Sequence, residues 1–80
     1  MTNEEKYRNF IAAIDNSVAG SDRYGNLAWH ISCSAEANAA DMATEGHFDT
    51  EEESWKAALD TAKMCLDCWR DYYPQLIKAA

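Results

Sequence analysis

Apolar residues recur with a regular period in three stretches of this chain, and the period is not the same in each. Between residues 3 and 19, Tyr7, Phe10, Ile11, Ile14 and Val18 return at steps of three and four. That spacing predicts one apolar stripe on a helix, with Asn9, Asp15 and Asn16 facing water. Thr2 and Glu5 form a T-x-x-E capping box at its start, and Gly20 stands where a left-handed residue would close it. After the turn residues of 20–26 the period drops to two. Leu27, Trp29, Ile31 and Cys33 alternate with Ala28, His30, Ser32 and Ser34, which predicts a strand with one buried face. Residues 35–41 then read as a hairpin connection, and 42–48 as a second strand in which Gly46 is a weak or bulged position.

The last stretch returns to helical spacing. Trp55, Ala58, Leu59, Ala62, Leu66, Trp69 and Tyr73 fall at offsets 0, 3, 4, 7, 11, 14 and 18. Thr50 and Glu53 form a second capping box, and Asp49, Glu51 and Glu52 complement the positive end of the helix dipole. Lys56, Asp60, Lys63, Asp67 and Arg70 mark the solvated side, with Asp60 and Lys63, and Asp67 and Arg70, at i,i+3 pairing distance. Pro74 stops the helix. About 24 residues would span roughly 36 Å, long for so small a domain.

The fold class expected from these periods is α+β. The order is helix, strand, strand, helix, with both helices on one face of a small antiparallel hairpin sheet, in one domain over residues 1–80. The alanines of 35–41 and a cap at Ser34 keep a second reading open, an all-α three-helix arrangement whose middle helix ends at Gly46. A two-stranded sheet would leave edges that a homodimer or a docked protein would cover.

Charge changes the picture more than composition does. The 80 residues carry a formal −7, and the excess sits in the middle third. Between Tyr24 and Trp55 lie seven acids, Glu36, Asp41, Glu45, Asp49, Glu51, Glu52 and Glu53, with no Lys or Arg. A one-sign patch steers cationic partners and repels nucleic acid, so direct DNA or RNA binding is excluded. Ordered carboxylates imitate a phosphate track or seat Arg and Lys side chains. A solvated face kept for solubility is the plain alternative. Exposed aromatics such as Tyr24, Trp69 or Tyr72 are candidate anchors beside the acids.

Chemistry beyond charge is sparse. Cys65-x-x-Cys68 and His30-x-x-Cys33 hold four soft ligands in pairs. On a strand, however, His30 and Cys33 point to opposite faces, and the other pair lies inside a helix. Neither a metal nor another cofactor is expected. Asp67 beside the two thiols disfavours a thiolate, which weakens a redox role. His30 and His47 lack a patterned nucleophile or acid, and three scattered glycines form no phosphate loop. The expectation is a protein that is not an enzyme. Three cysteines are too few for a secreted disulfide framework, the start lacks an apolar leader-like run, and no apolar run reaches membrane length. A reduced, cytoplasmic setting in a bacterial cell follows as the expectation.

In type, the chain resembles the small acidic inhibitors carried by phages and mobile elements, anti-CRISPR proteins in particular. Length, acidity and the lack of catalytic motifs carry the likeness. So does the stretch Ala43-Thr44-Glu45-Gly46-His47-Phe48-Asp49-Thr50-Glu51-Glu52-Glu53 with Trp55 and Ala57-Ala58-Leu59, similar to strand-to-capped-helix junctions of short phage proteins. The resemblance implies a protein that binds a basic surface of a host defence complex and blocks access of nucleic acid. A small dimeric assembly module is the second functional reading, and a zinc or redox protein using Cys65 and Cys68 is the third.

Overall fold

A computed structural model shows three α-helices: α1 over Asn3–Ser17, α2 over Leu27–Thr44 and α3 over Glu51–Tyr72. It describes residues 1–17 and 27–72, without the side chains of 17 and 70–72. Among the described residues there is no strand, so the α+β class and its hairpin sheet are overturned in favour of the all-α arrangement. The reason lies in what α2 buries. Its core-facing residues are Leu27, Ala28, Ile31, Ala35 and Ala39, which return at helical steps of three and four once alanines are counted. The period-two reading followed the large side chains instead. It put Trp29 and Cys33 on the buried face, yet both are exposed, Trp29 by 62%.

Gly46, expected as a weak strand position, is the residue that ends α2. It takes a positive φ of 82°. The His47 N–H donates to the Met42 carbonyl at 3.0 Å and the Gly46 N–H to the Ala43 carbonyl at 3.1 Å. These two bonds form a Schellman closure, which satisfies carbonyls the helix end would leave free. Both expected N-caps are present in part. The Glu5 N–H donates to Thr2 Oγ1 at 3.1 Å, and the Glu53 N–H to Thr50 Oγ1 at 3.3 Å. The Glu53 carboxylate reaches back one residue further than a capping box requires, to the Asp49 N–H at 3.0 Å.

Contacts between the elements set their directions. The Asn3 N–H donates to both Glu52 carboxylate oxygens at 3.3 Å, and its side-chain amide donates to the Glu52 carbonyl at 2.9 Å. The starts of α1 and α3 are therefore side by side and these helices run parallel. α2 runs against both: Asn38 donates to Thr61 at 3.1 Å, and the Tyr7 hydroxyl lies over the middle of α2. The core joins Ile14, Leu27, Ala28, Ile31, Ala35 and Ala62, continued by Tyr7, Ala39, Ala58 and Leu59. Ala35 and Ala62 are fully buried, so α2 and α3 approach closely over small side chains, the most extensive contact in the bundle. The α1 stripe of Tyr7, Phe10, Ile11 and Ile14 packs on this seam as its spacing implies. Val18, the Gly20 cap, Tyr73 and the Pro74 stop lie outside the described residues.

Candidate functional site

Because α1 and α3 begin where α2 ends, one pole of the bundle gathers the acids. Glu4 and Glu5 open α1, Glu51, Glu52 and Glu53 open α3, and Asp41, Glu45 and Asp49 lie at or just beyond the last turn of α2. Two of these, Glu4 and Glu5, belong to a segment that is nearly neutral in sequence. Only the parallel pairing of α1 with α3 brings them in, and no local signal announces that.

Several of these carboxylates have structural partners. Glu52 caps α1 through Asn3, and Glu53 accepts from the Asp49 N–H. Glu4 holds Arg8 at 2.9 Å, and the same guanidinium stands 5.3 Å from the Trp55 ring centre. Glu45 lies 3.1 Å from the His47 ring. Asp41, Asp49, Glu51 and Glu5 are exposed, and their carboxylates have no bond partner among the described residues. Lys56 sits one turn inside the pole, turned toward Asp60 at 3.4 Å rather than toward the acids. The expected i,i+3 pairing of Asp60 with Lys63 gives way to this i,i+4 contact.

The electrostatics of the pole divide the acids into two kinds. Those opening α1 and α3 sit at positive helix ends and stabilise them. Asp41 and Glu45 sit at the negative end of α2, whose last turn has no basic residue. Helix physics alone disfavours acids there.

The remaining candidates are scattered. Glu36 lies two turns back along α2, where its carboxylate accepts the Tyr7 hydroxyl proton at 2.8 Å. Burial first, then this carboxylate, pushes the Tyr7 phenol well above its usual range. Glu36 thus serves the α1–α2 seam and does not belong to the pole. Trp69 is half-buried against the core. Tyr24 and the Tyr72 side chain lie outside the described residues.

A groove of about 370 Å³ runs between α1 and α2, lined by Tyr7, Arg8, Ile11, Trp29, Ser32 and Glu36 among others. The cysteines are separate: Cys33 is exposed on α2, while Cys65 is half-buried and Cys68 exposed on α3. Burial, then the neighbouring Cys68, raises the Cys65 thiol pKa. Among the described residues no three His, Cys, Asp or Glu side chains converge as metal ligands, and no helix is long and apolar enough to cross a membrane.

No family model matches the chain, and neither curated proteins nor solved structures return a match.

Proposed function

We propose that the protein is a non-enzymatic binding protein whose acidic pole covers a basic, nucleic-acid-binding surface of a partner and blocks it. The observation that carries this reading is the placement of Asp41 and Glu45 at the negative end of α2, next to Asp49 and Glu51, whose exposed carboxylates have no bond partner among the described residues. Capping and dipole stabilisation account for the acids that open α1 and α3, Glu51 among them, but not for Asp41 and Glu45. Carboxylates held on helix ends and a short connection keep fixed spacings, which suits them to Arg and Lys side chains that otherwise hold phosphates. The charge would speed encounter and select the partner, while apolar contacts supply the affinity. The likeness to phage-borne inhibitors adds a target class, a host defence ribonucleoprotein of the CRISPR type, and the charge argument stands without it.

The test is affinity capture from bacterial lysate at low and high salt. It compares the wild type with a variant carrying Asp41→Asn, Glu45→Gln, Asp49→Asn and Glu51→Gln. The expected result is a nucleic-acid-processing protein held by the wild type at low salt and lost in the variant and at high salt, as screening shortens the field. A partner held equally by both, at both salts, would refute the reading.

A further inference from the structure

The groove between α1 and α2 stands apart from the acidic pole, and its lining is of a different kind. Ile11 and Ala28, both packed into the core, give its 370 Å³ an apolar floor. Trp29, 62% exposed, stands at its edge. A carboxylate closes each end. At the end nearer the pole the Tyr7 hydroxyl donates to Glu36 Oε2 at 2.8 Å. Because α2 runs against α1, eight residues on from Tyr7 and eight back from Glu36 lead to one place, the far end that Asp15 and Ala28 line. At the helical rise the two carboxylates stand about 12 Å apart along the groove. Neither Glu36 Oε1 nor the Asp15 carboxylate has a bond partner among the described residues.

We propose that this groove binds a linear aliphatic polyamine of the length of spermidine, extended, with one terminal ammonium on each carboxylate. Charge sets the sign of the ligand. Arg8 is the one cation among the described lining residues. Glu4 holds it at 2.9 Å, and it stands over the Trp55 ring on the α3 side. Three carboxylates therefore meet one guanidinium, and the surplus is negative.

Span sets the shape of the ligand. Carboxylates this far apart cannot share one metal ion, and a Lys or Arg side chain of a protein brings a single charge to one of them. An extended triamine reaches both. Between the ends, the floor of Ile11 and Ala28 suits its methylenes, and the face of Trp29 attracts an ammonium beside it. Ser32 stands one turn from Glu36 and one turn from Ala28, midway along the groove. Its hydroxyl proton goes to the Trp29 carbonyl at 2.9 Å, which leaves the oxygen lone pairs for the inner amine. The inference does not depend on the proposed function, because it uses none of the carboxylates of the pole.

Calorimetric titration of the full chain with spermidine tests it, at about 0.15 M salt, where the field of the pole reaches only about 8 Å. The expected result is saturable binding of one spermidine per chain. Putrescine, too short to reach both carboxylates, should bind about fivefold more weakly, the worth of one partly exposed ion pair. Asp15→Asn and Glu36→Gln should each weaken spermidine by the same factor, and Trp29→Ala about threefold. Gln at position 36 can still accept from Tyr7, and circular dichroism checks that every variant keeps its helices. Neutralising the pole through Asp41→Asn, Glu45→Gln, Asp49→Asn and Glu51→Gln should weaken binding less than Asp15→Asn with Glu36→Gln does. No saturable binding at millimolar spermidine overturns the proposal. So does an affinity that follows the pole and not the groove, or putrescine binding as tightly as spermidine.

Discussion

The second and third helices reach the same core by different means. α3 presents a continuous apolar face with Trp55, Leu59, Leu66 and Trp69 on it, starts at a threonine cap, and opens with acids that suit its dipole. α2 offers mostly alanine to the core, ends with acids at its unfavourable pole, and carries a tryptophan on its outer side. α3 therefore has local reasons to be helical, whereas α2 is held chiefly by its neighbours. The difference teaches where stability is lodged. α2 depends on close approach at a few small positions and on two large anchors, Leu27 at its start and the deeper Ile31, which is 1% exposed.

The sharpest way to break this contrast is to remove the deeper anchor. Ile31→Ala should cost about 2–5 kcal/mol, as much as a domain of this size has to lose, with urea unfolding as the measurement. A loss below about 1 kcal/mol would mean that α2 is not anchored there. Filling the close approach comes next. Ala35→Leu should cost about 1–3 kcal/mol through overpacking against α3, while Ala13→Leu on the exposed face of α1 should change stability by less than about 0.5 kcal/mol.

The closure of α2 is a smaller term. Gly46→Ala meets no atom within 4 Å, so its cost is purely that of a left-handed backbone, about 1–2 kcal/mol by thermal unfolding. Smallest at neutral pH is Tyr7→Phe, which removes a hydrogen bond worth about 1 kcal/mol. Its signature is in the pH profile. The native phenol is held neutral by burial and by Glu36, and an unfolded tyrosine ionises near pH 10. Its contribution is complete below about pH 10 and lost as pH rises toward the raised native value. Above pH 10 the wild type should lose stability faster than Tyr7→Phe does.

Which parts of this architecture were legible in sequence follows from the same contrast. α1 and α3 declare themselves through large residues at helical spacing and through Thr2 and Thr50, and the structure keeps both within a few residues of the expected bounds. α2 hides because Ala28, Ala35 and Ala39 carry its buried face while Trp29 and Cys33, which dominate a period count, do not. Gly46 was readable either as a strand flaw or as a helix closure. Only the Met42 and Ala43 carbonyls, taken up behind it, decide for closure. The acids were visible as a run, but their grouping was not. Glu36 leaves the group for Tyr7, while Glu4 and Glu5 join it through the parallel packing of α1 on α3. Long-range pairing of that kind, set by Asn3 on Glu52, has no local signature.

Competition tests the central claim, that the acidic pole stands in for nucleic acid on a basic surface, most directly. The partner captured on immobilised wild-type protein would be challenged with its own nucleic acid at constant ionic strength. Displacement of that partner in proportion to added nucleic acid is the result this account predicts. A partner that stays bound at saturating nucleic acid would contradict it, because the two would then occupy different surfaces.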